Sequence, residues 1–209
     1  GVVLRGIRPP IEIKLLEIKP GLIFEADDFS VTAFPVSHRG PDCYGFRFEE
    51  KSRRPFLPDK AEALEIPPGP WRRDMVAGNA VTLPDGREIT PDQVLGPERP
   101  GTKFVQIGDT GRTDNLLDVV RGADTLVIES TYLVQETEMA HRFGHLTAAQ
   151  AAQLALDAEV NHLILTHLSR RYRERDILAE ARAVFPNSFV ARDFDAYQIR
   201  RGGCEKIRD

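Results

Sequence analysis

The sequence predicts an α/β fold with a mostly parallel, two-sided sheet, because short apolar strands alternate with helical segments from residue 103 onward. The first 48 residues are typical of β-structure, since apolar and polar residues alternate there between Gly and Asp-Asp turns. With 209 residues, of which 41% are hydrophobic, the chain is long enough to bury one substantial core. A single domain is therefore expected.

The predicted elements follow the chain in a simple order. The first part contains four expected strands, at 11–15, 22–26, 29–36 and 43–48. After residue 103, the strands KFVQI, TLVIE, HLILT, SFVAR and AYQIR are separated by helical segments. Thr113 or Asp114 is the predicted N-cap of the first of these helices, and Thr147 is the predicted N-cap of the helix before HLILT.

Residues 51–101 differ in character and are predicted to protrude from the domain. They contain nine of the fifteen prolines, a short helical pattern at 59–66, and a Pro84-Asp85-Gly86 turn that predicts a hairpin. The rigid stretch 66–71 ends in Trp71, which we expect to be exposed beside two arginines. An ordinary proline-rich surface loop is the alternative interpretation.

Composition and charge limit the class of protein. No apolar run approaches the ~18 residues that cross a bilayer, so a soluble protein is expected. Cys43 and Cys204 predict neither a disulfide framework nor a thiolate zinc site, and a reducing cytoplasm fits them best. The chain begins at Gly1 without a signal-peptide pattern, so its start is expected to be a cut. A net charge of −4 argues against a nucleic-acid partner, but arginines cluster at 53–54, 72–73 and 170–171.

Polar residues with useful chemistry stand where predicted strands end. Asp109, Glu129 and His167 each follow or close a strand, His38 closes the strand 29–36, and His145 lies just before a helix. In open α/β sheets, ligands bind beyond the carboxyl ends of the strands. We therefore expect these five side chains to line one edge of the sheet.

Histidines and carboxylates brought together from separate segments suit a borderline metal such as zinc. Asp109 could bridge two ions, because its two oxygens can each serve one metal at the ~3.5–4 Å spacing of two-metal hydrolases. Taken singly, each histidine is more often structural, and Gly-Asp-Thr is common turn chemistry. Only their convergence favours a metal site. His141 and His162 have no such position.

In this order and at these intervals, the motifs resemble ribonuclease Z, the zinc endonuclease family that trims the 3′ end of precursor tRNA. The matching segments are Ser37-His38 with Tyr44-Gly45-Phe46, Pro67-Pro68-Gly69-Pro70, TLPDGREITPDQVLGP (82–97), Gly108-Asp109-Thr110, Glu129-Ser130-Thr131, Gly144-His145-Leu146-Thr147, and Thr166-His167-Leu168-Ser169 with Arg171-Tyr172. The resemblance implies the short form of the family and a metallo-β-lactamase-like αββα sandwich, incomplete at the N-terminus. Residues 1–209 would be the C-terminal portion of that single domain, with a protruding Pro-rich exosite arm at 51–101 that binds tRNA.

The resemblance also implies roles for individual residues. His38, Asp109 and His167 would be ligands of two zinc ions per subunit, with Asp109 as the bridge. His145 and Glu129 would be catalytic, with Glu129 orienting the imidazole. The substrate would contact residues of two groups, one near the site and one in the arm: Ser169 and Arg171, then Pro68, Gly69, Pro70, Arg72 and Arg73. In this family the arm usually serves the other subunit of a homodimer.

One departure from the family pattern matters for activity. The family's His-x-His-x-Asp-His motif is expected upstream of His38, and the 209 residues contain no such string. We therefore expect this chain by itself not to cleave RNA, and we interpret it as an N-terminally incomplete copy of an active enzyme. Two alternatives stay open: another hydrolase of the same fold acting on a small ester or phosphodiester, and a non-catalytic RNA-binding subunit.

Overall fold

The computed structural model describes residues 14–207, and between residues 103 and 190 its strands and helices alternate as the sequence predicts. The strands are β1 Gly21–Glu25, β2 Phe29–Pro35, β3 Tyr44–Glu50, β4 Val81–Thr82, β5 Glu88–Ile89, β6 Lys103–Gln106, β7 Thr125–Glu129, β8 His162–Thr166, β9 Ser188–Val190, β10 Ala196–Arg200 and β11 Gly203–Ile207. The helices are α1 Pro58–Ala63, α2 Pro70–Val76, α3 Pro91–Val94, α4 Leu117–Val120, α5 Thr137–Phe143, α6 Ala148–Asp157 and α7 Glu174–Val184, with a short 3₁₀ turn at Val134–Glu136. No helix among these residues is long and apolar enough to span a bilayer.

Seven strands form one mixed sheet in the order β1-β2-β3-β6-β7-β8-β9. The pairs from β6 to β9 are parallel, whereas β1, β2, β3 and β6 pair antiparallel with their neighbours. Because two antiparallel pairings separate β2 from β6, β2 runs in the same direction as β6, β7, β8 and β9. The carboxyl ends of these five strands therefore lie at one edge of the sheet.

Helices α4, α6 and α7 cover one face of the sheet. The side chains packed between them belong to one apolar cluster, which includes Val105, Leu126, Ile128, Leu163, Leu165, Ala151, Ala155 and Ile177. Alternate residues of a strand point to opposite faces, so the remaining apolar side chains lie on the other side. There Phe24 is 53% exposed and Phe48 is 36% exposed. Within residues 14–207, one large sheet and two hairpins are present, rather than two large facing sheets.

Several local expectations need correction. Residues 114–116 form a turn and α4 begins at Leu117, so neither Thr113 nor Asp114 caps that helix. The strand AYQIR does not join the main sheet, because β10 pairs with β11 in a separate hairpin. The predicted strand at 11–15 lies mostly outside the described residues, and 14–19 contains no strand. By contrast, Thr147 caps α6 as predicted, in a capping box with Gln150.

The segment 51–101 is an insertion in a β-hairpin, because it connects the antiparallel neighbours β3 and β6. At its root, the amide of Arg53 donates to the carbonyl of Arg99 at 2.9 Å, and the reverse bond has the same length. The segment contains its own apolar cluster, with Ala61, Ile66, Met75, Val81, Leu83, Ile89, Val94 and Leu95 buried. Trp71 packs partly buried against this cluster, so the expectation that it is exposed is wrong. We call residues 51–101 the arm.

Two separate cores predict separate responses to core mutations. Met75 is fully buried in the arm, so Met75→Ala should destabilise that cluster by about 2–5 kcal/mol. Hydrogen exchange should show faster opening of arm amides, with the amides of β7 and β8 unchanged. Val76→Ala, at a neighbouring position that is 53% exposed, is the matched control and should have little effect. Equal loss of protection in β7 and β8 would contradict the independence of the two cores.

Candidate metal and catalytic site

Five polar side chains from separate loops meet at the carboxyl edge of the sheet. His38 follows β2, Asp109 follows β6, Glu129 ends β7, His145 follows α5, and His167 follows β8. The order of the parallel strands dictates this convergence, because each strand ends at the same edge. His141 is exposed on α5 and His162 lies at the start of β8, so neither histidine joins the group.

Close backbone contacts hold the loops around His38 together. The amide of Gly111 donates to the carbonyl of Ser37 at 2.6 Å, and Nδ1 of His38 lies 2.9 Å from the carbonyl oxygen of Gly144. A Cβ at Gly111 would come within 2.9 Å of the Gly144 Cα, so a larger residue would separate the two loops. Gly144 itself ends α5 in the left-handed region, with φ 73°. These contacts fix the position from which His38 faces Asp109.

Asp109 stands between two histidines. Its Oδ2 lies 3.8 Å from Nε2 of His38, and its Oδ1 lies 3.5 Å from Nε2 of His167. The two carboxylate oxygens therefore face different imidazoles, as a bridging ligand requires. The side chain is 38% exposed, so solvent reaches it.

Glu129 is fully buried and accepts five hydrogen bonds. Its Oε1 accepts from the amide of Thr110 and from Nδ1 of His145, both at 2.8 Å. Its Oε2 accepts from the hydroxyl of Thr131 at 2.6 Å and from the amides of Thr131 and Leu146 at 3.3 and 3.2 Å. Five donors compensate for the desolvation of this carboxylate.

The bond to Glu129 orients the ring of His145. An ionised carboxylate only accepts hydrogen bonds, so Nδ1 carries the proton and Nε2 is the nitrogen left for other chemistry. The ring lies between those of His38 and His167, with centroid distances of 5.1 and 5.2 Å. His145 is thus held by a buried anion on one side and faces two histidines on the other.

The geometry fits a metal ion with nitrogen and oxygen ligands. One potential ligand atom each from His38, Asp109 and His145 lies within 4.8 Å of the other two. Three protein ligands with one position left for water is the usual composition of a catalytic zinc site. The sequence predicts His145 at this edge, but the ligand set that the resemblance implies contains His167 in its place.

The predicted substrate contacts are found in different environments. Arg171 is four residues past His167; its guanidinium contacts Oε1 of Glu136 at 3.1 Å, and the hydroxyl of Ser169 accepts from its amide at 3.3 Å. In the arm, Pro68, Gly69 and Pro70 are exposed. Arg73 is exposed as well, whereas the guanidinium of Arg72 donates to the carbonyl of Ile66 at 2.7 Å and lies over the Phe56 ring. Arg72 thus stabilises the arm itself.

Sequence reasoning also gave no role to Thr131. Its hydroxyl has one proton, and the shortest of its contacts is the 2.6 Å bond to Glu129; the carbonyl of His167 lies 3.1 Å away. The hydroxyl thereby links the end of β7 to the loop after β8. Its position directly after the Glu129-Ser130 pair is the sequence signal that could have found it.

Removing this hydroxyl should destabilise the site. In Thr131→Val, the Glu129 carboxylate loses its shortest bond in a buried environment, so the free energy of unfolding should fall by about 1–3 kcal/mol. Thr131→Ser keeps the hydroxyl and is the matched control. Denaturant titration measures the difference. Equal stability of the Val and Ser variants would show that the hydroxyl contributes nothing to holding Glu129.

Comparison with known proteins agrees with this fold. Residues 82–168 match the family model of the beta-lactamase superfamily domain. The metallo-beta-lactamase fold protein YhfI from Bacillus subtilis aligns with a TM-score of 0.58 at 16% identity, covering 98% of this chain and 61% of that one. A diphosphatase from the PhnP family aligns with a TM-score of 0.52 at 14% identity, covering 92% and 51%. At these identities the likeness concerns the fold alone.

Relatives found by sequence share a higher percentage of identical residues with this chain than these solved structures do. The chain is 47% identical over 192 residues to a protein named ribonuclease Z from Bradyrhizobium sp. (strain ORS 278), covering 92% of this chain and 64% of the relative. It is 44% identical over 196 residues to a ribonuclease Z from Trichodesmium erythraeum (strain IMS101), covering 90% and 61%. The chain thus spans somewhat less than two thirds of the length of these relatives. It has the metallo-β-lactamase fold, and over about nine-tenths of its length it is a relative of ribonuclease Z.

Proposed function

We propose that the protein to which this chain belongs is a metal-dependent endoribonuclease that removes the 3′ trailer of precursor tRNA. The observation that carries the proposal is the Glu129–His145 pair facing Asp109 between His38 and His167, in a chain 47% identical to a ribonuclease Z. A buried carboxylate that orients a histidine beside metal-ligand chemistry suits hydrolysis of a phosphodiester. The activity is proposed for the whole protein, because the chain spans 64% of that relative.

His38, Asp109 and His167 would hold two zinc ions, with one oxygen of Asp109 directed to each. The distances of 3.8 and 3.5 Å from the two histidines to different oxygens support this assignment. Imidazole nitrogen and carboxylate oxygen are donors that zinc accepts readily. When bound, zinc supplies Lewis-acid activation that lowers the pKa of water toward ~7.

A residue of this chain would then supply the proton that the leaving group needs. Attack of water on phosphorus breaks the bond to the 3′ oxygen of the tRNA, and that oxygen must gain a proton. His145 would donate that proton from Nε2, and the 2.8 Å contact of its Nδ1 with Glu129, which orients the ring, supports this role. The products are a tRNA with a 3′ hydroxyl and a trailer with a 5′ phosphate. Arg171 would contact a phosphate beside the site, at the cost of its ion pair with Glu136.

The direct test is cleavage of a precursor tRNA by the intact protein loaded with zinc. We expect one cut after the discriminator nucleotide, with the phosphate retained on the trailer. The same preparation should be offered small thioesters and phosphodiesters. Rapid turnover of these small substrates with an uncut precursor would overturn the proposal in favour of another hydrolase of the fold. Binding of tRNA without any turnover would favour a non-catalytic RNA-binding subunit.

His145 should be separable from the metal ligands by mutation. His145→Ala should lower kcat by about 10²–10⁴, the usual worth of a positioned acid, while the zinc content stays unchanged. His38→Ala and Asp109→Ala should lower both activity and zinc content. His141→Ala, an exposed histidine outside the group, is the matched control. If His145→Ala loses zinc as His38→Ala does, His145 is a metal ligand, as its distance to His38 and Asp109 permits.

We further propose that the arm grips tRNA for the other subunit of a homodimer. The arm leaves the sheet where β3 ends and β6 begins, at the edge opposite to the site. From Lys103 to Asp109 the chain advances six residues, which at ~3.3 Å per residue separates the root of the arm from the site by roughly 20 Å. The exposed Pro67-Pro68-Gly69-Pro70 turn and Arg73 are the surfaces offered to tRNA.

Mixing two defective proteins tests this arrangement. One has residues 53–99 replaced by a short Gly-rich turn, and the other carries His145→Ala with an intact arm. Neither should cut precursor tRNA efficiently alone, but mixed dimers should recover cleavage, because one arm then serves the one intact site. A variant with both changes is the control, and mixing it with either defective protein should not restore cleavage. Full activity of the arm-deleted protein alone, or dimers without recovery, would contradict the proposal.

A further inference from the structure

The loop between β9 and β10 presents one aromatic side chain to solvent. Phe194 is 99% exposed, more than any other large apolar residue among residues 14–207. Its backbone lies in the left-handed region, with φ 72°, where a bulky residue is a rare outlier. Such conformations persist only where the surrounding structure fixes them, and they concentrate at functional sites. Among residues 14–207, this exposed ring therefore packs against no apolar cluster.

Four polar contacts fix this loop. The amide of Asp195 donates to the carbonyl of Arg192, and the amide of Arg192 donates to Oδ2 of Asp195, both at 3.0 Å. The guanidinium of Arg192 contacts Glu174 at the start of α7 at 2.8 Å, and Lys206 contacts Oδ1 of Asp195 at 2.5 Å. The loop is therefore closed on itself and tied to two neighbouring elements, so Phe194 stands on a constrained turn.

This turn lies at the same edge of the sheet as the candidate site. Leu165 of β8 pairs with Val190 of β9, and the amide of Ala191 donates to the carbonyl of Leu165 at 3.0 Å. His167 is two residues past Leu165, and Phe194 is four residues past Val190. Because β8 and β9 are neighbouring parallel strands, His167 and Phe194 both follow strands that end at this edge.

Arginines without partners lie between these two positions in the chain. Arg170 and Arg173, in the loop after β8, are exposed, and neither has an ion pair within residues 14–207. Three neighbouring arginines are paired instead: Arg171 with Glu136, Arg175 with Asp176, and Arg192 with Glu174. Arg170 and Arg173 are thus free for an anionic ligand. Asp193, exposed beside Phe194, disfavours a phosphate on the ring's own loop but not an uncharged base.

We propose that Phe194 is a stacking platform for a base of the single-stranded 3′ trailer, and that Arg170 and Arg173 contact the trailer's phosphates. An exposed aromatic ring beside arginines is the arrangement that binds single-stranded nucleic acid without reading its sequence. The inference rests on the proposed function, since it concerns the substrate of that same site. It assigns the trailer, rather than the tRNA body, to this edge, because the body would be held by the arm.

Varying the length of the trailer distinguishes an effect on trailer binding from an effect on the cleavage step. Steady-state cleavage would be measured for two precursors that differ only in the trailer, a single nucleotide in one and a longer single strand in the other. Phe194→Ala should raise KM about tenfold for the long trailer, as expected for one lost base stack, with kcat unchanged. For the one-nucleotide trailer KM should not change. Phe194→Trp should retain tight binding. Leu156→Ala, at a 47% exposed leucine on α6, is the matched control and should behave as wild type.

The arginines have a separate readout. The double change Arg170→Ala with Arg173→Ala should raise KM for the long trailer and flatten the dependence of that KM on salt concentration, because two phosphate contacts are lost.

Unchanged KM in Phe194→Ala, or an equal rise for both trailers, would overturn the inference while the proposed function stands. A change of oligomeric state in Phe194→Ala, seen by sedimentation, would assign the ring to a contact between copies and also overturn it. A wild-type protein that cuts neither precursor overturns the proposed function and this inference with it.

Discussion

The buried Glu129 carboxylate is the constraint on which the rest of the candidate site depends. A fully buried anion is tolerated only when donors surround it, and here they come from three segments: the loop after β6, Thr131 in the segment after β7, and the turn before α6. Satisfying one carboxylate therefore fixes the relative positions of three loops. His145 is oriented as part of that same requirement, since its Nδ1 is among the donors. Loss of a single donor would therefore disturb the loops that carry Asp109 and His145.

The sequence predicts which residues form the site better than it predicts how close their side chains come to one another. The five polar residues were found because strands that run in one direction end at one edge, and the structure brings all five together there. What the sequence could not reveal is the distance between side chains from remote loops. One nitrogen of His145 comes within 4.8 Å of ligand atoms of His38 and Asp109, where Gly111 and Gly144 allow their loops to touch. Neither glycine signals that contact through local sequence.

Fold prediction succeeded where periodicity is strong and failed where pairing is non-local. Alternation identified the strands β1, β2 and β3, and apolar runs identified β6 to β9. Nothing in AYQIR distinguishes an edge strand of the main sheet from half of a separate hairpin, because its alternation of apolar and polar residues fits both. Trp71 was misjudged for a related reason: the arm's own apolar cluster is assembled from short segments, each of which resembles a surface loop. The superfamily fold is confirmed by the comparison with YhfI and the matched domain model.

The position of the arm inside a hairpin has a consequence for how the chain folds. Pairing β3 with β6 requires closing the chain between Glu50 and Thr102, which as an unstructured loop of ~50 residues costs about 3.5 kcal/mol of chain entropy beyond a constant. An arm that collapses first on its own apolar cluster brings Arg53 and Arg99 together, and the remaining gap is only a few residues. The most remote pairing in the sheet then becomes kinetically local. An arm that forms early would therefore also speed the pairing of the sheet strands on either side of it.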